Sequence, residues 1–267
     1  LSEIILGECL KGRRDKVILA SKVGIKVGEA PDEKGLSRDA ILKGIEDSLR
    51  RLNTDYLDIY YLHQPDYSTP LEESLETMQD LVKDGKVRYI GASNYASWQV
   101  CYMLWLAEQK GYQSVKITQP MYNLLSRGIE QEFLPMCQQF GLSTVVYNPL
   151  AGGLLTGKHN REKPLPGTRF EKIPSYIDRY WHQVNFDAIG QLKRISQAED
   201  RSLINLAFSW LLHHTTVDCV IIGASRMKQL QENLKLIIQS QPLSEDTVNV
   251  CDQVWLKVRG VSPKYNR

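Results

Sequence analysis

The sequence predicts an α/β fold built on a parallel sheet, and three observations carry that reading. Short runs rich in Val, Ile and Tyr alternate with longer amphipathic stretches, the pattern of successive strand–helix units. Each short run is almost continuously apolar or aromatic, as a strand covered on both faces must be. The runs begin at Val17, Leu57, Val87, Val115 and Ser143, a spacing close to the ~30 residues that one β-α-β unit occupies.

In chain order the predicted strands are Val17–Ser21, Leu57–Leu62, Val87–Ala92, Val115–Gln119, Ser143–Tyr147 and Val217–Ile222. Between the first two, Ser37 is placed to cap a helix, Leu36 and Ile41 to staple it, and Ile41, Ile45, Leu49 and Leu52 to form its buried stripe. Thr69 and Pro70 start a second helix with Leu71, Leu75, Met78 and Val82 inward and Gly85 as its stop. Further helices are expected over Ala96–Lys110 and Ile129–Phe140, ended by Gly111 and Gly141. After the fifth strand the spacing breaks. A Gly/Pro-containing loop runs from Ala151 to near Val184, followed by helices near Phe186–Ala198 and Leu203–His213, and such an insertion is where covers over a bound cofactor sit.

Six strand–helix units do not close a (β/α)8 barrel of the TIM type. The expected architecture is therefore a single β/α-barrel domain over residues 1–267, N-terminally incomplete, with its first two strands before Leu1; a miscounted strand is the alternative. Composition adds exclusions. The 33 basic and 31 acidic residues give a formal charge of +2 and are mixed along the chain, which argues against nucleic acid and membrane as partners. No apolar run approaches the ~20 residues of a membrane helix, no leader pattern is visible, and the chain reads as cytoplasmic. The five cysteines, Cys9, Cys101, Cys137, Cys219 and Cys251, are isolated and read as reduced core residues rather than as disulfides or metal ligands.

Barrels of this class gather function at the C-terminal ends of their strands. There stand Lys22, His63, Ser93 with Asn94, Gln119, Tyr147 with Asn148, and Gly223 to Ser225. Any one of these has a bland reading as a solvated charge or packed polar group. A polar group at every strand end points to a shared site. Gly152 to Lys158 imitates a phosphate-binding P-loop, but His159 stands where Ser or Thr should follow, and a long loop comes next instead of a helix. No GxGxxG run is present, so a dinucleotide would have to lie on a barrel rim.

With these residues in view, the chain resembles the aldo-keto reductase family, most closely its bacterial reductases and potassium-channel β-subunits. The resemblance rests on Ser2 to Gly7, Ala20-Ser21-Lys22, Asp58 to Asp66, Gly91 to Asn94, Gln119 to Asn123, Tyr147 to Gly153, and Gly223-Ala224-Ser225 with Gln229, Glu232 and Asn233. It implies NADPH-dependent reduction of aldehydes or ketones to alcohols by hydride transfer. A carbonyl that accepts hydride gathers negative charge on oxygen and needs a proton donor and fixed dipoles there. In the family a tyrosine donates the proton, a lysine lowers its pKa, a histidine orients the carbonyl and an aspartate pairs with the lysine. Lys22 and His63 match the lysine and histidine; the tyrosine and aspartate are expected upstream of Leu1, which would leave the chain as written catalytically impaired. Tyr60, Tyr61, Tyr67 and Tyr122 do not stand where the motif places the acid.

For NADPH/NADP+ the resemblance implies Ser93, Asn94 and Gln119 on the nicotinamide carboxamide, Tyr147 against its ring, and Pro149, Leu150 and Gly152 along the pyrophosphate. Lys158 and Arg169 would clamp the phosphates. Gly223, Ser225, Gln229, Glu232 and Asn233 would surround the adenosine end, with Arg226 and Lys228 for a ribose 2′-phosphate, since cations attract a phosphate dianion. No metal is implied. Trp98, Tyr180 and Trp181 receive no role. The competing readings are a nucleotide-sensing regulatory subunit and a truncated pseudoenzyme, and a homo-oligomer is left open.

Overall fold

The structure is a computed structural model that describes residues 1–260. Its elements in chain order are α1 (Ser2–Leu10), β1 (Ala20–Val23), α2 (Arg38–Leu52), β2 (Leu57–Leu62), α3 (Leu71–Lys83), β3 (Val87–Ser93), α4 (Ser97–Lys110) and β4 (Ile117–Gln119). There follow α5 (Phe133–Gln139), β5 (Ser143–Val146), α6 (Arg169–Lys172), α7 (Pro174–Tyr180), α8 (Gln183–Ala198), α9 (Leu203–His213), β6 (Cys219–Val220), α10 (Met227–Ile238) and α11 (Glu245–Arg259). The chain divides into two compact units, Leu1–Pro120 with Met136–Ser143, and Met121–Pro135 with the chain from Thr144 onward.

In the first unit β1, β2, β3 and β4 pair consecutively, every ladder parallel. All of β2 is buried, as its unbroken apolar run demands. Ser37 caps α2 by accepting the Ala40 N–H, and Ile41, Ile45, Leu49 and Leu52 are buried along its inner face. Helix α1 lies close on α2. A Cβ on Gly7 would stand 2.5 Å from the Leu52 carbonyl oxygen, so only glycine permits that approach. Glu3 then ties three elements, accepting from Ser21 Oγ at 2.6 Å and Arg51 Nε at 2.7 Å. Asp58, buried at the start of β2, accepts from Arg14 and Arg88 at 2.8 Å each and from the Leu19 N–H, and the two guanidiniums lie 3.9 and 4.1 Å from the centroid of the Tyr56 ring.

In the second unit β5 pairs with β6, again parallel. Its core joins Tyr122, Val146, Leu155, Phe170, Leu192, Trp210 and Val254. The buried guanidinium of Arg127 reaches both Glu130 oxygens and Asp252, with the Trp210 ring 4.7 Å away.

Several boundaries differ from the sequence expectation, each for a local reason. The first strand begins at Ala20, not Val17, because the Leu19 N–H is taken by the Asp58 carboxylate while Ile18 stays exposed. The helix expected to be capped by Thr69 starts one residue later, since the Thr69 hydroxyl donates to Asp66 instead. Leu81 is buried in that helix whereas Val82 is only partly so. The helix expected over 129–140 splits into a 3-10 turn at Gly128–Glu130 and α5, because Pro135 has no N–H and fits only the first turn of a helix. Of the cysteines, all free, only Cys137 and Cys251 are buried; Cys9 and Cys219 are exposed, so the core reading holds for some of them alone. The segment read as loop from 151 carries a 3-10 stretch at Ala151–Thr156 together with α6 and α7. No helix among the described residues is long and apolar enough to cross a membrane.

Candidate functional site

In the first unit the candidate residues are ordered by the sheet itself. The register sets Lys22 beside Tyr61, Tyr61 beside Gly91 and Gly91 beside Ile117. Two residues further along, His63, Ser93 and Gln119 occupy the next equivalent row, with Ser93 and Gln119 directly paired. Since side chains alternate faces with period two, Lys22, Tyr61, His63, Ser93 and Gln119 all project to one side. Gly91 makes room there: a Cβ on it would stand 2.3 Å from the Tyr61 ring. The Lys22 ammonium lies 5.4 Å from the centroid of that ring.

At the end of β3 the chain turns through Asn94, whose φ of 62° is left-handed, a conformation that Asn tolerates better than most residues. The turn lets the Asn94 amide donate to the His63 carbonyl at 2.8 Å and to Ser93 Oγ at 3.0 Å, and Ser93 passes its own proton to the Gln119 carbonyl at 2.8 Å. Lys22, His63, Ser93, Asn94 and Gln119 are thus brought together. Burial lowers the Lys22 pKa. Burial, and then the Lys22 charge, push the His63 imidazole down to about 4, so it is neutral at neutral pH. Tyr60 faces the other way, its hydroxyl 2.9 Å from where a Cβ on Gly44 of α2 would stand. Tyr122 donates to Glu130.

In the second unit a tight turn follows β5. Tyr147 is half-buried and Pro149 buried. Asn148, Ala151, Gly152 and Gly153 all have positive φ, and the turn is held by Ala151 N–H to the Asn148 carbonyl at 2.9 Å and Gly152 N–H to Asn148 Oδ1 at 2.8 Å. The bare side of Gly152 is filled by the Tyr176 ring, which a Cβ there would meet at 2.5 Å. Arg169 is exposed, donates to Tyr176 Oη at 3.0 Å and stands 3.9 Å from where a Cβ on Gly223 would be. Two positions assigned to different parts of a nucleotide are thereby neighbours. Lys158 is exposed, and no helix follows it before Arg169, which removes the strand–loop–helix context a P-loop needs.

Around α10 the Ser225 N–H and hydroxyl both donate to Gln229 Oε1, at 3.1 and 3.0 Å. Arg226 is the N-terminal flanking residue of that helix, Asn233 is buried, and Lys228 stands 4.0 Å from Glu232. Sequence reasoning left Tyr180 without a role. Its hydroxyl is in fact the hub of a buried network with Asn123, Asn148 and Met121. No motif marks that position; its one sequence signal is an aromatic residue on a polar helix.

A match to the Aldo/keto reductase family runs over residues 1–256. The chain belongs to that family. Membership places it among oxidoreductases acting on carbonyl groups. The chain is 36% identical over 251 residues to human aflatoxin B1 aldehyde reductase member 2, covering 88% of this chain and 70% of that protein. It is 35% identical over 247 residues to human aldo-keto reductase family 7 member A3, covering 87% and 74%. A probable voltage-gated potassium channel subunit beta of Oryza sativa subsp. japonica is 32% identical over 259 residues, covering 95% and 79%.

Proposed function

We propose that this aldo/keto reductase reduces aldehydes or ketones to alcohols with NADPH, and that Lys22 and His63 handle the charge that forms on the carbonyl oxygen. The observation that carries the reading is the shared face of β1, β2, β3 and β4, where a partly desolvated ammonium and a neutral imidazole stand among amide and hydroxyl groups. The donor chemistry fits a nicotinamide nucleotide. Ser93, Asn94 and Gln119 offer both donors and acceptors for a carboxamide, while Lys158, Arg169, Arg226 and Lys228 are exposed cations suited to phosphate. A bound reduced nicotinamide would supply the hydride.

This chain's own residues then act electrostatically. Neutral His63 keeps a ring N–H to donate to the carbonyl oxygen, and Lys22 supplies positive charge where the oxyanion grows, in surroundings where that charge counts for more than in water. The same charge lowers the pKa of a phenolic proton donor placed beside it. Asn94 fixes the His63 backbone from behind. Tyr147 would stack on the ring, Pro149, Leu150 and Gly152 would follow the pyrophosphate, and Gly223, Ser225, Gln229, Glu232 and Asn233 would take the adenosine end. In this reading the 151–184 segment covers the phosphates of the nucleotide.

The test uses the full-length gene product with a simple aldehyde at saturating NADPH. Lys22→Met and His63→Gln should each lower kcat by about 10²-fold or more while NADPH affinity stays within about threefold. Unchanged turnover in both variants rejects their roles. The channel-subunit relative favours a second reading, a nucleotide-sensing subunit, which predicts tight NADPH binding with negligible aldehyde turnover in the wild-type protein.

A further inference from the structure

The 147–153 turn is not a conformation its residues would choose. Asn148 at φ 67° and Ala151 at φ 49° are both left-handed without being glycine, which is unfavourable for an L-residue, least so for Asn. Such a turn persists when its surroundings hold it. The Asn148 side chain supplies part of the hold by taking the Gly152 N–H, and its amide is in turn spent on one partner, the Tyr180 hydroxyl, at 2.9 Å.

Tyr180 is only 2% exposed. Its oxygen also accepts from Asn123 Nδ2 at 3.1 Å, and its proton goes to Met121 Sδ at 3.1 Å. Asn123 closes the loop by donating to the Asn148 carbonyl at 3.0 Å. One hydroxyl therefore satisfies two buried amides and links the turn to the stretch after β4. Tyr180 also shares a helix face with Tyr176, four residues earlier, the ring that fills the space over Gly152 and receives Arg169.

We infer that Tyr180 is a positioning residue for nucleotide binding: through Asn148 its hydroxyl sets the turn that presents Tyr147, Pro149, Leu150 and Gly152. This rests on the nucleotide reading above. The phenol does not contact the cofactor in this account; it fixes the backbone that does.

The experiment is NADPH titration by fluorescence, paired with steady-state kinetics, on wild type, Tyr180→Phe, Asn148→Gly and the double variant of the full-length gene product. Phenylalanine keeps the ring and its packing, and glycine accepts the left-handed φ. Each single variant should raise the NADPH Kd about tenfold while kcat at saturating NADPH falls less than threefold, a split that general loss of stability would not give. The double variant should bind no more weakly than the worse single one, because both cut the same link. Wild-type affinity in Tyr180→Phe, or additive losses in the double variant, overturns the inference while leaving the nucleotide reading intact. Should Tyr180→Phe not fold, Asn148→Gly decides: unchanged Kd overturns the inference. A wild-type protein that binds no NADPH overturns the nucleotide reading instead, and this inference with it.

Discussion

The two units place their candidate residues by opposite means. In the first, backbone ladders do the work: register and alternation put Lys22, His63, Ser93 and Gln119 on one face, and side-chain hydrogen bonds only trim the result. In the second, side chains do it. The turn after β5 is shaped by Asn148, and the segment around α6 and α7 is held by rings, His159, Phe170, Tyr176, Trp181 and Phe186, whose centroids lie 5.0 to 6.3 Å from their neighbours. A ladder-built site is as stable as its sheet. A ring-built one loosens locally, because fewer backbone bonds cross it.

The sharpest way to break that contrast is at Asp58. Asp58→Ala leaves the partly buried Arg14 charge without its carboxylate and frees the Leu19 N–H, so it should cost about 3 kcal/mol of unfolding free energy, read from denaturant midpoints. A loss below about 1 kcal/mol would mean the ladders stand without it. Gly152→Ala tests the other half. It forces alanine to φ 69° against the Tyr176 ring and should cost about 1–2 kcal/mol, a smaller shift of the denaturant midpoint than Asp58→Ala gives, with faster proteolysis near Arg161 and Lys163. Equal loss of global stability in both variants would erase the distinction.

A pH series sharpens it further. The folded His63 has its pKa pushed down to about 4, while in the unfolded chain it titrates near 6.5. The unfolded state therefore binds the proton first, and stability falls as pH drops from about 6.5 toward about 4 and is unaffected above that window. His63→Gln should reduce this slope without abolishing it, because burial also lowers the pKa of His159 and His214, and an unaltered slope would show that the His63 imidazole is not desolvated. The smallest effect belongs to Lys228→Ala. Its 4.0 Å pair with Glu232 is largely solvated, so stability should move by less than about 0.5 kcal/mol, and a larger shift in a melting curve would reveal a hidden contact.

The same contrast explains what was legible in the sequence. The run Leu57–Leu62 is β2 to the residue, and Ser37, Gly111 and Gly141 mark helix ends as read, because these signals are local. His63 and Asn94 could be read as strand-end residues for the same reason. Tyr180 could not. Its meaning depends on Asn123 and Asn148, 57 and 32 residues away, and nothing in the composition of α7 announces a buried hydroxyl. Asp58 was likewise invisible as a hub, since Arg14 and Arg88 reach it from 44 and 30 residues away. Loop segments with their own internal order look like plain loops until the contacts are known.

The cluster of rings around Trp181 has a consequence for how this part of the protein can change over time. Trp181 packs against His159, Phe170 and Phe186 at once, and its indole N–H is committed to the Arg161 carbonyl. Substituting one ring alters the fit of the others, so effects there will not add. Viable descendants of this sequence should therefore exchange these positions in matched sets, which makes the segment a unit of inheritance as well as of packing.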